Sequence, residues 1–159
     1  ICCGNAYNHE SPRRGEEFVT RKITKAIAQI KAGQQNVLKL GDTSARRDWS
    51  HAKDIVRVAW LSLQRDVPGD YIFASGVSYS VQEFFELAFN YAGLDYQQYV
   101  KIDPSFFRPT EVRQLIGLPT KAMQILGWKP TIRFSQLVQE MVEADLQNVT
   151  EHHHSLEVR

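Results

Sequence analysis

The sequence has 159 residues, 43% of them hydrophobic and 23% charged, with a formal net charge of +1 at pH 7. This composition is typical of one globular domain with a real core and excludes a disordered chain. The balanced charge gives no reason to expect nucleic acid or a membrane as partner, so any anion-binding site must be local. No apolar run approaches the ~20 residues that cross a bilayer.

Residues 1–7 are predicted to form a short buried strand. It contains Cys2 and Cys3, and neighbouring side chains on a strand point to opposite faces. This arrangement excludes a disulfide framework and favours a reducing cytoplasm. We interpret both cysteines as small buried residues, with a reactive thiol as the alternative. The first residues also lack the basic and apolar regions of a signal peptide.

The polar segment NHESPRRG at 8–15 is predicted to be a loop. The spacing of apolar residues then predicts a helix over 16–32, which Gly33 ends. The apolar positions of this helix are 19, 23, 26, 27 and 30. Residues 37–40, which read VLKL, are predicted to be a strand.

The segment SARRDWSHAKD at 44–54 is predicted to be a polar connection. A helix is expected to begin near Ser50 and to run to Leu63, because apolar residues recur there at helical spacing. Pro68 and Gly69 interrupt the chain, and a strand is predicted over 71–74.

Ser80 is predicted to cap the next helix, because Glu83 stands three residues later as in a capping box. This helix carries a packed aromatic face and is expected to end at Gly93. A short strand is predicted over 99–102. The stretch RPTE at 108–111 is predicted to begin a loop that contains proline.

A short helix is predicted over 120–126 and a final amphipathic helix over 134–146. Three consecutive histidines, His152–His154, follow in the tail. We interpret them as a solvated tail, with metal binding as the alternative, and we predict no metal site. Because strands alternate with helices along the whole chain, an α/β fold is expected.

Three polar clusters suggest a ligand site. They are NHESPRRG with the following Thr20–Lys22, the segment 45–49 and the segment 107–111. Guanidinium groups bind phosphate oxygens in pairs, and helix N-termini add free N–H groups, so a diphosphate-bearing ligand would fit. The alternative is a set of ordinary ion pairs, such as Asp48 with Arg46 and Glu111 with Arg108.

Four strings carry a resemblance to a known family. NHESPRRGEEFVTRKIT, RRDWSHAKD, FFRPTEV and LGWKP stand in this order and resemble the carboxyl-terminal half of GDP-mannose 4,6-dehydratases, members of the extended short-chain dehydrogenase/reductase superfamily. The resemblance covers residues from about 4 to about 148. It implies the C-terminal substrate-binding part of a Rossmann-type α/β fold, without the N-terminal dinucleotide-binding half.

The resemblance also implies a division of the chain and a reaction. Residues 1–15 would be a late Rossmann strand with a cofactor and substrate loop, 16–148 a GDP-sugar-binding domain, and 149–159 a tail. In the family, NADP takes a hydride from C4 of GDP-mannose, water leaves across C5 and C6, and the hydride returns to C6. The product is GDP-4-dehydro-6-deoxymannose.

Site residues follow by matching motifs to this family. The positions implied to bind substrate are Asn8, Lys22, Arg47, Arg108 and Glu111, and the positions implied to bind cofactor are His9 and Arg14. Structural roles are predicted for Asp54, in the first turn of a helix, and for the tryptophans 49, 60 and 128, as core or wall. Arg113 and Leu118 depart from the family pattern, which weakens the expectation of guanine specificity relative to diphosphate binding.

Two motifs of the superfamily do not occur in this sequence. No glycine-rich GxGxxG turn is found, and no tyrosine has a lysine four residues later. We therefore assign no catalytic residue and expect the chain to be inactive alone, with a missing N-terminal half or a homo-oligomer partner completing the site. The alternatives are a non-catalytic module that binds GDP-sugars and a related GDP-hexose reductase or epimerase.

Overall fold

The computed structural model describes residues 1–107, 110 and 112–157. In this part of the chain, short strands alternate with helices. The strands are β1 (Cys3–Ala6), β2 (Asn8–Glu10), β3 (Leu38–Leu40), β4 (Arg46–Arg47), β5 (Trp49–His51), β6 (Asp70–Phe73), β7 (Tyr79–Ser80), β8 (Val100–Ile102) and β9 (Gln114–Leu115). The helices are α1 (Val19–Lys31), α2 (Ala52–Leu63), α3 (Val81–Tyr91), α4 (Tyr96–Tyr99), α5 (Thr120–Leu126) and α6 (Phe134–Glu157), with a 3₁₀ turn at Pro104–Phe106.

The main core lies between α1, α3 and α6. Each helix places apolar residues three or four positions apart, which gives one continuous buried face. Strand β3 and Trp49 close one side of this core. Its fully buried side chains are Ile23 and Ile27 of α1, Phe84 and Phe89 of α3, and Leu137, Val138, Met141 and Val142 of α6.

A second, smaller core joins β6 to α2 and α5. Ile55 and Val58 of α2 pack there with Tyr71 and Phe73 of β6. Trp128, which follows α5, is 3% exposed and covers this core. The first strand of this layer, β1, pairs with β6 in parallel.

The sheets are small and mostly parallel. Strand β2 pairs with β5, and β3 pairs with β8, in both cases in parallel. Strand β4 lies between β7, which is antiparallel to it, and β9, which is parallel to it. Because Tyr7 alone separates β1 from β2, the chain leaves the first sheet and enters the second within one residue.

Two segments that the sequence suggests are irregular contain strands. Residues 8–10 form β2 rather than part of a loop, and the polar connection at 44–54 contains β4 and β5. Strands of two or three residues are too short to show an alternating pattern, and their pairing depends on residues far away in the sequence. The helix expected near Ser50 begins at Ala52, and His51 caps it by accepting a hydrogen bond from the Lys53 N–H.

The prediction of a buried first strand is wrong. All four residues of β1 are exposed, and β6 is the one strand that pairs with β1 among the described residues. Cys3 is therefore exposed and Cys2 is half-buried, where its thiol lies 3.2 Å from the Ser62 carbonyl oxygen.

Tryptophan roles were predicted correctly for two of the three side chains. Trp49 and Trp128 are each 3% exposed, but Trp60 is 59% exposed. Trp60 lies on the face of α2 opposite to Ile55 and Val58, which point to the core. The apolar pattern of α2 extends around both faces, so spacing alone does not identify the buried one.

Helices begin or end as predicted where the sequence contains a capping box or a glycine stop residue. The capping box of Ser80 and Glu83 is present, and Gly33 takes a positive φ of 71° after α1. The last helix runs to Glu157 rather than to residue 146, because no glycine or proline occurs after Pro130 to stop it. The side chains of His152–His154 lie outside the described residues. Among the residues that the structure describes, no helix combines the length and the hydropathy of a membrane-spanning segment.

One buried ion pair connects α1 to α6. The Arg21 guanidinium donates to both carboxylate oxygens of Asp145, at 2.7 to 3.1 Å, and the Thr24 hydroxyl donates to the same carboxylate at 2.7 Å. The Asp145 side chain is 4% exposed and that of Arg21 13% exposed. Such a pair is costly to break from one side, because the remaining charge loses its partner in a dry environment.

We therefore expect Asp145→Ala to lower the free energy of unfolding by about 3–5 kcal/mol. Glu143→Ala is the matched control, since Glu143 lies two residues away on the same helix and is exposed. Its loss should cost far less, because its hydrogen bonds with Tyr91 and Gln139 are exposed to solvent. Urea denaturation of both variants measures the difference, and equal losses would contradict a specific role for the Arg21–Asp145 pair.

Candidate functional site

Two cavities adjoin where β1 passes into β2. The first, which we name the strand-end cavity, has a volume of about 460 Å³. It lies at the carboxyl end of β1, the end at which ligands bind in parallel α/β sheets. Its lining residues are Asn5, Ala6, Tyr7, Asn8, His9, Arg14 and Leu115.

The second cavity, which we name the loop cavity, has a volume of about 310 Å³. The 3₁₀ turn borders it through Phe106, and a Cβ added at Gly41 would lie 2.7 Å from the Phe106 carbonyl oxygen. Glycine is therefore needed at position 41. The lining residues are Asn8, Glu17, Phe18, Val19, Gly41, Asp42, Ala45, Arg47, Trp49, Val81 and Phe106.

Asn8 lines both cavities. Its position is fixed by the parallel pairing of β2 with β5, in which Asn8 stands opposite Trp49. The side-chain amide makes no hydrogen bond with the described residues, so both its donor and its acceptor are available to a ligand. Asn8 is thus the point at which ligands in the two cavities would meet.

His9 faces the strand-end cavity in a defined tautomer. Its Nδ1 atom lies 2.9 Å from the Tyr7 carbonyl oxygen. A carbonyl oxygen only accepts hydrogen bonds, so Nδ1 carries the proton and donates it. In the neutral ring, Nε2 is then an acceptor, which suits a hydroxyl or amide donor of a ligand.

Arg14 is held at the wall of the strand-end cavity by two neighbours. Its guanidinium carbon lies 3.4 Å from the centre of the Phe18 ring, a cation–π geometry. Its Nε atom lies 3.3 Å from a Glu10 carboxylate oxygen. That Nε atom has no hydrogen bond of good geometry, so the attraction to Glu10 is that of an ion pair.

Glu10 is an acidic residue in an unusual environment. The side chain is 2% exposed, and the Thr20 hydroxyl donates to it at 2.5 Å. Burial raises the pKa of the Glu10 carboxyl, although Thr20, Arg14 and His9 act in the opposite direction. Desolvation of the charged form is the larger effect.

Arg47 connects the loop cavity to the segment that follows residue 111. Its NH1 group donates to the Val112 carbonyl oxygen at 2.7 Å and to the Arg46 carbonyl oxygen at 2.8 Å. The same segment adds β9 to the sheet, where Leu115 stands opposite Arg47. Arg47 therefore brings a positive charge to the cavity and braces its wall.

Lys22 lies next to the loop cavity but does not line it. Its ammonium group donates to the Lys39 carbonyl oxygen at 2.9 Å and lies 4.5 Å from the centre of the Phe106 ring. It lines a neighbouring groove of about 320 Å³. Phe106, which it contacts, also lines the loop cavity together with Asn8 and Arg47.

The remaining predicted substrate ligands, Arg108 and Glu111, lie outside the described residues. The structure also decides one of the alternative ion pairs. Arg46 pairs with Glu83 at 2.8 Å rather than with Asp48. Asp48 is fully buried and accepts hydrogen bonds from Ser75, Gly76 and Gly117, which fix two loops behind β4 and β5.

Sequence reasoning missed several residues of the site. Glu10 lies inside NHESPRRG but has no ligand role in that motif, and no motif identifies the aromatic rings of Phe18 and Phe106. Asp42 lines the loop cavity, and hydrogen bonds from Ser44 lower the pKa of its carboxyl. An ionised carboxylate there can accept hydrogen bonds from ligand hydroxyls.

Comparisons with known proteins place these features in a family context. Residues 1–141 match the sequence profile described as GDP-mannose 4,6 dehydratase. GDP-mannose 4,6 dehydratase 1 of Arabidopsis thaliana is 51% identical over 92% of this chain and 40% of its own length. GDP-mannose 4,6-dehydratase of Vibrio cholerae serotype O1 is 43% identical over 95% of this chain and 48% of its own length. The chain thus spans less than half the length of these relatives.

Solved structures share the fold at lower identity. RMD from Pseudomonas aeruginosa complexed with NADPH has a TM-score of 0.83 at 24% identity, over 91% of this chain and 48% of that one. dTDP-glucose 4,6-dehydratase from Bacillus anthracis in complex with NAD has a TM-score of 0.76 at 20% identity, over 91% of this chain and 44% of that one. These likenesses confirm the predicted α/β fold.

The environment of Glu10 predicts how stability depends on pH. A raised pKa means that the folded state keeps the Glu10 proton to higher pH than the unfolded state, so the free energy of unfolding falls as pH rises. Glu10→Gln removes the free-energy cost of ionising a buried carboxyl group. We expect the variant to gain stability over the parent protein as pH rises from about 4 to about 7.

The control is Glu16→Gln. Glu16 is exposed, and its hydrogen bond with Lys25 lowers its pKa, so its contribution to stability is lost as pH falls and its replacement should act in the opposite direction. Urea unfolding across this pH range measures both variants. A Glu10→Gln variant that loses stability relative to the parent with rising pH would contradict the assignment.

Proposed function

This chain belongs to the GDP-mannose 4,6 dehydratase family, and from that premise we propose that it is the nucleotide-sugar-binding part of such an enzyme. The substrate would be GDP-mannose or a related GDP-sugar, and the reaction an NADP-dependent dehydration to GDP-4-dehydro-6-deoxymannose. The observation that carries this proposal is the position of Asn8 between two cavities, with Arg14 on one side and Arg47 on the other. One cavity would hold the cofactor and the other the nucleotide sugar.

The loop cavity suits a diphosphate with attached hydroxyl groups. Arg47 supplies a guanidinium group, Asn8 an amide, and Asp42 an ionised acceptor. Lys22 would act from beyond Phe106, so a diphosphate that extends past this ring would reach its ammonium group. Arg108 and Glu111 are proposed as ligands at the GDP end of the site by resemblance to the family. We propose that residues 16–148 form the substrate-binding domain. All the proposed substrate ligands lie in it except Asn8, which lies in the preceding segment 1–15.

The strand-end cavity suits part of a dinucleotide. Arg14 offers guanidinium donors, and His9 offers an acceptor at Nε2. The cavity lies at the carboxyl end of a strand in a parallel pair, where dinucleotides bind in Rossmann-type folds. Bound NADP would supply hydride transfer, while Arg14 would bind its phosphate and His9 would orient a neighbouring hydroxyl or amide group. The related structures are complexes with NADPH or NAD, and we propose NADP for this chain.

A partner would supply the remaining groups. The exposed β1 has one neighbouring strand in the described part of the chain, and exposed Val56, Trp60 and Leu63 form an apolar stripe on α2. We propose that a polypeptide equivalent to the rest of the longer relatives, or a second copy of this chain, covers these surfaces. Cys2 and Cys3 are free thiols, which suits the proposed cytoplasmic location.

A second candidate is a module that binds GDP-sugars without converting them. It is favoured by one observation, that no tyrosine in the sequence has a lysine four residues later. That pair supplies acid–base chemistry in the superfamily. The enzyme part and the non-catalytic module would both bind GDP-sugars, and they differ only in whether GDP-mannose is converted. A GDP-hexose reductase would instead consume a keto-sugar, and an epimerase would invert a sugar stereocentre.

Complementation separates these candidates. We expect no product when this chain is mixed with GDP-mannose and NADP. Addition of the part of the Arabidopsis thaliana relative that this chain does not cover should restore the loss of one water from GDP-mannose, measured by mass spectrometry. Binding of GDP-mannose without water loss in either mixture would favour the non-catalytic module, and no binding in either would refute the proposed function.

Arg47 provides a second test. Hydrogen bonds between charged groups contribute about 1.5–3 kcal/mol, so we expect Arg47→Ala to weaken GDP binding by about 10- to 100-fold. Arg46→Ala is the matched control, because the neighbouring Arg46 binds Glu83 and does not line the loop cavity. Isothermal titration calorimetry with GDP measures both, and equal affinities in the two variants would contradict the proposed role of Arg47.

A further inference from the structure

We infer that Glu10 is a positioning residue for Arg14, and that the buried carboxylate and the Phe18 ring together keep the free donors of the guanidinium directed at the strand-end cavity. The inference rests on the proposed function in one respect only, because it takes a phosphate group as the ligand of those donors. The orientation of Arg14 itself is a property of this chain and can be measured without any ligand.

Arg14 is restrained at several points, and its terminal donors are left open. The face of the guanidinium stacks on Phe18 at 3.4 Å, and Nε faces Glu10 at 3.3 Å. The backbone is held as well, because Arg21 donates to the Arg14 carbonyl oxygen at 3.1 Å. The terminal nitrogens of Arg14 form no hydrogen bond with the described residues. Two parallel donors in one plane are what a phosphate group accepts.

Glu10 is itself held firmly enough to orient another side chain. Its backbone belongs to β2 and stands opposite His51 in the parallel pair with β5. Its carboxylate accepts the Thr20 hydroxyl at 2.5 Å, which ties β2 to the second residue of α1. The residue is 1% exposed, its backbone is paired in β2, and its carboxylate is bound to α1. The side chain therefore has little freedom to move.

Simple energetic roles do not account for this carboxylate. Its burial costs free energy, since desolvation of the charged form dominates its environment. Its negative charge also opposes the binding of an anion in the adjoining cavity. The hydrogen bond from Thr20 requires an acceptor but not a charge, so orientation of Arg14 is what the charge contributes. A flexible arginine loses side-chain entropy on binding a phosphate, whereas a restrained one has lost it beforehand.

The two explanations, electrostatic repulsion and positioning of Arg14, predict opposite changes in anion affinity for the Glu10→Gln variant. Glu10→Gln keeps the shape of the side chain and an acceptor for Thr20 but removes the charge that attracts Arg14. Electrostatics alone predicts tighter binding of an anion by this variant. Positioning predicts weaker binding, by about fivefold, although the variant is at least as stable as the parent at neutral pH.

The first measurement concerns Arg14 alone. Nitrogen-15 spectra of the arginine Nε–H groups are recorded for the full chain, with Arg14→Lys to assign the Arg14 signal. The Arg14 Nε is buried and lies against the Glu10 carboxylate as an ion pair. Because Glu10→Gln removes this attraction, the side chain should open to solvent more often, and we expect hydrogen exchange of the Arg14 Nε–H to become about 5- to 10-fold faster. The exposed control Glu16→Gln should leave it unchanged, and an unchanged rate in Glu10→Gln would overturn the inference.

The second measurement uses inorganic pyrophosphate as the probe and follows the same signal during titration. Weaker pyrophosphate binding in Glu10→Gln together with faster exchange supports positioning, whereas equal or tighter binding overturns it. If exchange becomes faster but pyrophosphate shifts no Arg14 signal in the parent chain, the positioning of Arg14 stands and its proposed phosphate-binding role fails. Should Glu10→Gln alter the backbone spectrum, Glu10→Asp replaces it, since it keeps the charge but cannot reach Arg14.

Discussion

The candidate site depends on the Arg21 guanidinium. Its Nε and NH2 groups bind Asp145 of α6, while NH1 donates to the carbonyl oxygens of Pro12 at 2.5 Å and Arg14 at 3.1 Å. One side chain thus attaches the NHESPRRG segment to the packed core of α1, α3 and α6. The rigidity of that core is thereby transmitted to a segment that is too polar to pack by itself.

The attachment has a consequence for the division of roles among the arginines. Arg21 is used entirely for structure, and Arg46 is used to hold Glu83 and the Ser78 carbonyl oxygen. Arg14 and Arg47 line cavities, and Arg47 also donates to the carbonyl oxygens of Arg46 and Val112. The adjacent residues Arg46 and Arg47 therefore have different roles. The difference arises because the fold places different carboxylates and carbonyl groups near each of them. Charge counting along the sequence could not separate them.

Elements with dense local signals could be predicted from the sequence. The helices at 19–31, 81–91 and 120–126 carry apolar spacing and capping or stop residues, and the structure has them within a few residues of the expected bounds. Strands β2, β4 and β5 were not foreseen, since two or three residues hold no periodicity and their partners are distant in the sequence. The exposed face of α2 was misjudged at Trp60 for a related reason, because an apolar helix surface does not show which side meets the core.

The positions of the candidate site residues could be predicted in part, and the limits have similar reasons. Motif matching points to Asn8, His9, Arg14 and Arg47, which line the two cavities. It also points to Lys22, which contacts Phe106 and lines a neighbouring groove. It also passed over Glu10, Phe18 and Gly41, which shape the site without an obvious ligand chemistry of their own. Residues of this kind act through tertiary contacts in the folded chain, and a sequence motif does not predict those contacts.

The two cavities differ in how much of their support lies within this chain. The loop cavity is backed by Trp49, which is 3% exposed and belongs to the complete core of α1, α3 and α6. The strand-end cavity begins at β1, whose residues are all exposed and whose single paired neighbour in the described part is β6. A fully packed core fixes its wall residues, whereas an exposed strand with one partner is held mainly by one row of hydrogen bonds. The nucleotide-sugar side of the proposed site is therefore largely self-supported, and the cofactor side depends on Glu10, Phe18 and Arg21 to hold Arg14 in place.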